Sequence, residues 1–316
     1  MDWWLAVRIS VTQRTLELLT LLQWPRVGPV KAREVLRALR SGSLLEQALL
    51  MLPSISLEQR LTAESKASAI LDDCDRLEIA IVGFDDDEFP HLLRLIPDPP
   101  AILYRKGSDS ALLIDGFAVV GTRKASDAGR RAAAMIAGHF ATRGYSVVSG
   151  LALGIDSAAH KGALEKGGVT VAVLAHGLDT VAPSSNRPLA QRILENKGAL
   201  ISEHPPGVPP RPPEFVRRNR LQSGISLGSV VVESDVEGGA MHQARFTVTQ
   251  HRRLFTVLAT SQDSVGELNE SGARHLVATM GATAVCSVAD LDRELLAIDK
   301  GDAPDVPPPS QGTLPL

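Results

Sequence analysis

This chain of 316 residues predicts an α/β protein: a Rossmann-like, doubly wound, mostly parallel sheet preceded by a small all-helical domain. Three observations carry that expectation. From residue 117 onward, short apolar runs rich in β-branched residues alternate with helix-length segments, as strands buried on both faces by crossover helices do. Two of those runs lead directly into glycine-bearing turns that open helices, Gly121-Thr122-Arg123-Lys124-Ala125-Ser126 and Gly150-Leu151-Ala152-Leu153-Gly154-Ile155-Asp156. Residues 1 to 75 instead carry only helical periodicity, in Leu16, Leu18, Leu19 and Leu22, then Ala32, Val35, Leu36 and Leu39, then Leu44, Leu45, Ala48 and Leu49.

Within the helical segment 1–75, the turn Trp24-Pro25-Arg26-Val27-Gly28-Pro29 resembles a helix-hairpin-helix turn, with Arg26 where that motif usually has glycine. An ordinary αα-hairpin turn is the simpler reading. Residues 76–110 read as a connector packing on the core, with one strand at 79–82 and an acidic turn of Asp85, Asp86, Asp87 and Glu88 expected to be a solvated loop. Residues 111–290 form the Rossmann-like domain. Its strands are expected at 118–120, 146–149, 170–174, 199–202, 229–233, 254–257 and 283–285, with helices at 128–143 and 157–166. A short helix and a proline-rich tail with Pro304, Pro307, Pro308, Pro309 and Pro315 fill 291–316, and the tail is expected to be disordered.

A formal net charge of -3 and a pI near 6.3 exclude a basic nucleic-acid coat, so a polyanion would have to be met by a local patch. The two cysteines, Cys74 and Cys286, have neither metal nor redox spacing and point to ordinary thiols in a reducing cytoplasm. The Met1-Asp2-Trp3-Trp4 start lacks a basic region followed by an apolar core, and no uninterrupted apolar run approaches the roughly 18 residues of a membrane span. The expectation is a cytoplasmic protein with no membrane partner and no metal.

The two glycine-bearing turns are candidate anion sites. The first N–H groups of a helix lack partners, the helix dipole adds about half a positive charge, and glycine lets the backbone approach a ligand. In the first turn Gly121 supplies the approach, Arg123 a planar fork suited to phosphate, Lys124 a second cation, and Ser126 a cap and a hydroxyl. In the second, Gly150 and Gly154 play the glycine's part. Further along, Arg211, Arg217, Arg218 and Arg220 stand against the single carboxylate Glu214, with Phe215 and Asn219 among them. Cations meet phosphates, and a ring stacks a base for about 1 to 3 kcal/mol, which is what single-strand binding requires. The bland alternatives are a core Phe215, arginines paired with surface carboxylates, a structural ion pair at Arg123, and tight strand-to-helix packing at both glycines. His160 has no nucleophile or metal ligand beside it in sequence and reads as a helix-packing residue, so no catalytic residue is assigned.

The ordered series Ser149-Gly150-Leu151-Ala152-Leu153-Gly154-Ile155-Asp156, Pro183-Ser184-Ser185-Asn186-Arg187, Ser202-Glu203-His204-Pro205-Pro206-Gly207 and Phe215-Val216-Arg217-Arg218-Asn219-Arg220 resembles the DNA-processing protein A family, also called Smf, across residues 76–285. The resemblance implies a cytoplasmic, dimeric, single-stranded-DNA-binding protein without cofactor or catalysis. Such a protein would protect incoming DNA during transformation and help load the recombinase RecA. It also implies that Arg123, which matches the arginine of the family's Gly-x-Arg turn, lines a basic DNA pocket with Phe215, Arg218, Asn219 and Arg220. Three stretches depart from the pattern: Gly238-Gly239-Ala240-Met241-His242-Gln243, Ala259-Thr260, and Glu267-Leu268-Asn269. A winged-helix domain carried by many members is not expected after Val285. Two rival readings follow. One is a repurposed relative that neutralises or senses a toxin in a phage-defence locus. The other is a nucleotide-processing enzyme akin to the cytokinin-activating phosphoribohydrolases, whose Pro-Gly-Gly-x-Gly-Thr-x-x-Glu turn ends in a carboxylate where this chain has Ala244. A hydride-transfer enzyme is weaker still, because the first turn lacks Gly-x-Gly-x-x-Gly.

Overall fold

The computed structural model describes residues 11–40, 52–259 and 268–299. Its elements in chain order are α1 (Gln13–Leu22), α2 (Pro29–Arg40), α3 (Leu57–Arg76), β1 (Ala80–Gly83), α4 (His91–Arg94), β2 (Ile102–Gly107), β3 (Gly116–Val120), α5 (Asp127–Thr142), β4 (Ser146–Ser149), α6 (Ile155–Glu165), β5 (Thr170–Val173), α7 (Arg187–Glu195), β6 (Ala199–Ser202), α8 (Pro212–Gly224), β7 (Gly228–Val231), α9 (Gly239–Thr249), β8 (Arg253–Val257), α10 (Ser271–Met280), β9 (Thr283–Val285) and α11 (Val288–Asp299). All nine strands join one sheet in the order β1-β2-β6-β5-β4-β3-β7-β8-β9. From β6 to β9 every pairing is parallel, while β1 and β2 add an antiparallel edge. The Rossmann-like, mostly parallel fold expected from the alternation is the one observed.

Alternation along β3 shows how the layers form. Phe117 and Val119 sink into one face with Ala133, Ile136 and Phe140 of α5 and Leu291 and Leu295 of α11. Ala118 and Val120 enter the other, where they meet Leu221 of α8 and Met241 and Ala244 of α9. A strand covered on both faces reads as an unbroken apolar run, which is why the sequence shows it plainly.

The connector differs from its expectation. Residues 76–110 contribute β1 and β2 to the sheet itself, and Gly83 to Ala80 pair with Ile102 to Arg105. The acidic turn is not simply solvated. The Thr12 and Thr15 hydroxyls at the start of α1 donate to Asp86 at 2.7 and 2.6 Å, and the Gly83 N–H donates to it at 2.7 Å. In the hairpin between α1 and α2, Arg26 has φ of +64°, the left-handed backbone that glycine usually supplies there. The expected periodicity at Leu44, Leu45, Ala48 and Leu49, and the proline-rich tail from residue 300, lie outside the described residues. No described helix is long and apolar enough to cross a membrane.

Candidate nucleic-acid interface

The strand order reverses around β3, whose neighbours are β4 on one side and β7 on the other. Loops leaving the carboxyl ends of such strands must part there, and ligands of doubly wound folds lodge in the resulting crevice. Here that crevice is a cleft of about 630 Å³. Gly121, Arg123 and Lys124 of the first turn form one wall, and Phe215, Arg218 and Asn219 of α8 form the facing one. Arg123 and Lys124 are exposed, so their charges meet solvent and any strand arriving from it. The Arg123 guanidinium lies over the ring of Phe215, 5.0 Å from its centroid, so one cation and one aromatic face stand together at the mouth.

Arg218 is placed differently. It is 5% exposed, and its guanidinium reaches under the second turn, donates to the Val173 carbonyl and faces Asp156. Burial pushes its pKa down to about 10, and Asp156 pulls it back up, so it stays charged at neutral pH. Burial pushes the Asp156 carboxyl above the usual carboxylate range, against the pull of Arg218 and of the N–H groups it accepts from. Gly150 makes room for this arrangement, since a Cβ there would lie 2.2 Å from the Arg218 Nη1 atom. The packing alternative for this glycine is thus present in the structure. Gly154, with φ of +79°, lets the second turn lie against the first, where a Cβ would meet the Thr122 carbonyl at 2.4 Å.

Three more expected site residues face elsewhere. Ser126 caps α5 by accepting from the Gly129 N–H at 2.9 Å, while its own N–H and hydroxyl donate to Glu233 Oε2 at 2.9 and 3.2 Å. Arg220 is 3% exposed; it grips both oxygens of Glu203 at 3.0 and 2.6 Å and donates to Asp98 at 2.7 Å. Arg217 is exposed but leans toward Glu203, 3.6 Å away, beside a smaller hollow shared with His204 and Tyr104. Of the expected set, then, the cleft gathers Gly121, Arg123, Lys124, Phe215, Arg218 and Asn219, and it does not gather Ser126, Gly150, Gly154, Arg217 or Arg220.

The cleft also has a polar lining the sequence did not announce, in which Gln222, Gln243 and Ser234 are buried and Asp235 is exposed. Gln243 reaches Ser229, and Thr247 donates to the same hydroxyl at 2.8 Å. Gly238, Gly239, Ala240 and Gln243 all line the cleft, so the stretch that departs from the family pattern forms one of its walls. Away from the cleft, Glu203, His204 and Glu214 bring ligand atoms within 4.8 Å of one another. Arg220 already holds both oxygens of Glu203, and His204 bonds Glu214 at 3.1 Å, so the trio closes on protein partners.

These features define a Rossmann-like α/β protein whose cleft, at the reversal of strand order, carries exposed cations beside an aromatic ring. The chain belongs to the DNA recombination-mediator protein A family, whose model matches residues 80–296. It is 41% identical to the Smf protein of Escherichia coli over 177 residues, which cover 56% of this chain and 47% of that one. It is 33% identical to a putative DNA processing protein of Mycobacterium tuberculosis over 281 residues, covering 84% and 68% respectively. The chain therefore spans about half the length of the first of these relatives. Among solved structures, DNA processing protein A of Streptococcus pneumoniae superposes with a TM-score of 0.75 at 27% identity, over 90% of this chain and 98% of that one. The Helicobacter pylori protein, described for its single-stranded DNA binding mode, gives 0.61 at 25% identity over 70% and 97%.

Proposed function

We propose that this chain binds single-stranded DNA in the β3 cleft and acts as a recombination mediator, without catalysis of its own. Arg123 and Lys124 meet successive phosphates, Phe215 offers a ring for a base, and Arg218 fixes the second turn from beneath instead of reaching the strand. The observation that carries this reading is the Arg123 guanidinium poised over Phe215 at the exposed mouth. Family membership and the strand-binding Helicobacter pylori relative support it. In this reading a cytoplasmic homodimer protects incoming DNA during transformation and hands it to a RecA-type recombinase. A binding role also fits α9, where Ala244 is fully buried at the position of the phosphoribohydrolase carboxylate.

Fluorescence anisotropy of labelled oligo-thymidine, titrated with salt, tests the reading. Arg123→Ala is expected to weaken binding by roughly 5- to 30-fold and to make the log-log salt slope shallower by about 0.7 to 1, the mark of one lost phosphate contact. Phe215→Ala is expected to cost about 1 to 3 kcal/mol with the slope unchanged, because stacking releases no counterion. Wild-type protein that does not bind oligo-thymidine at low salt would overturn the proposal.

A further inference from the structure

In a strand-turn-helix unit, the unpartnered N–H groups at the helix start hold an anion, and in nucleotide-binding folds that anion is a phosphate of the ligand. The first turn of this chain has the whole apparatus: β3, Gly121, the Ser126 cap and the 16-residue helix α5. An anion is already there. Oε2 of Glu233 accepts from the Ser126 N–H at 2.9 Å and from the Ser126 hydroxyl at 3.2 Å, while Oε1 accepts from the Asn269 N–H at 3.1 Å. The Glu233 backbone carbonyl accepts from the Thr122 N–H at 2.7 Å, so both ends of the turn are tied to this one residue. Glu233 is 3% exposed. Two glycines admit it: a Cβ on Gly129 would lie 2.1 Å from Oε2, and one on Gly121 would lie 2.7 Å from the Glu233 carbonyl oxygen. The second turn repeats the device, with Asp156 accepting from the Gly150 N–H at 3.1 Å in front of buried Arg218.

We propose that Glu233 is the chain's own occupant of the first turn's anion site, and that this carboxylate determines specificity. The terminal phosphate of a free nucleotide finds the site filled, whereas the internal phosphates of a strand meet Arg123 and Lys124 further out. The occupant half stands on the geometry of the turn; the strand half rests on the proposed function. A free nucleotide ends in a phosphate that needs a deep cradle of N–H groups. A strand offers a row of singly charged phosphodiesters, which side-chain cations on a lip engage without a cradle. Filling the cradle with a carboxylate thus removes one ligand class and leaves the other.

Isothermal titration with inorganic phosphate and with thymidine 5′-monophosphate, at constant ionic strength, compares the wild type with Glu233→Ala. The variant is expected to bind inorganic phosphate at least tenfold more tightly, with thymidine monophosphate following the same order. A variant that keeps wild-type circular dichroism and binds phosphate no better than the wild type overturns the proposal. Should Glu233→Ala not fold, the near-isosteric Glu233→Gln serves: its neutral amide is displaceable, so a phosphate affinity above wild type supports the proposal and an equal one overturns it. Oligo-thymidine titrated into the same wild-type sample separates the two ideas. Its failure to bind removes the strand half and the proposed function together, while a phosphate gain in the variant still establishes Glu233 as the occupant.

Discussion

Single residues show how one chemical type serves opposite ends. Arg123 and Arg220 both read as phosphate ligands, yet Arg123 stands exposed over Phe215 and Arg220 is locked between Glu203 and Asp98. The difference lies in partners 17 and 122 residues away, which no local pattern records. Glu233 reaches Ser126 across 107 residues for the same reason. His160 is the opposite case, a polar residue whose packing role is evident in its surroundings: it is fully buried, and Nδ1 lies 2.7 Å from the Thr170 hydroxyl, which itself donates to the Val147 carbonyl. Burial pushes its pKa down from 6.5 to about 3, so the native state holds the ring neutral while the unfolded chain takes up a proton near 6.5. The sign follows directly. Its contribution is present above pH 6.5 and is lost as pH falls toward 3. Between about pH 6 and pH 5 the stability advantage of the wild type over His160→Gln should therefore shrink by roughly 1 kcal/mol, as the unfolded chain approaches one bound proton more than the native state. Urea midpoints that fall in parallel for the two proteins would remove His160 as the source.

Among elements, α8 does two jobs with two faces. Phe215 and Asn219 look into the cleft, while Arg220 and Leu221 hold the helix down on the sheet and on Glu203 beyond β6. Taking one member of a buried ion pair away strands the other charge in low dielectric, at roughly 3 to 5 kcal/mol, whereas replacing both with apolar groups of like size is far milder. Arg220→Met is thus expected to destabilise strongly, and the double variant Arg220→Met with Glu203→Leu to recover most of the loss. Additive losses in chemical denaturation would argue that Asp98 and not Glu203 is the partner that matters. The same helix explains how far the sequence could be read. The parallel strands were legible because burial on both faces leaves unbroken apolar runs, and β4, β6 and β9 fall where the runs place them. The antiparallel edge was half legible, since β2 turns polar at Arg105 and Lys106 and follows Pro99 and Pro100. In α8 the arginines 217, 218 and 220, with Arg211 just before the helix, fixed the site's neighbourhood, but a helix turns 100° per residue, so 217, 218 and 220 face solvent, second turn and core.

At the scale of the molecule, the expected separation of a helical domain at 1–75 from a Rossmann domain at 111–290 meets a shared interior. Leu16, Leu18 and Leu19 of α1, Val35 and Leu36 of α2 and Leu71 of α3 pack in one cluster with Ile81, Tyr104, Leu174, Leu189 and Leu200 of the sheet and its helices. Thr12 and Thr15 add a polar tie to Asp86 at the end of β1. Helical periodicity tells that a segment is amphipathic; it does not tell what its apolar face covers, so a helical prefix reads as a separate domain whether or not it owns a core. A segment with its own core can melt by itself, whereas one that lends its core to a sheet exposes that sheet when it leaves. Loss of α1 would uncover the face of β1 and β2 that it covers, so helix melting and sheet melting are coupled. Thermal unfolding followed by far-ultraviolet circular dichroism and by calorimetry is accordingly expected to give one transition at one midpoint. Leu19→Ala, at a side chain with no exposed surface, is expected to cost about 2 to 5 kcal/mol and to lower that midpoint as a whole. An early helical phase in the variant, followed by a sheet transition at the wild-type temperature, would show instead that the helices stand on their own.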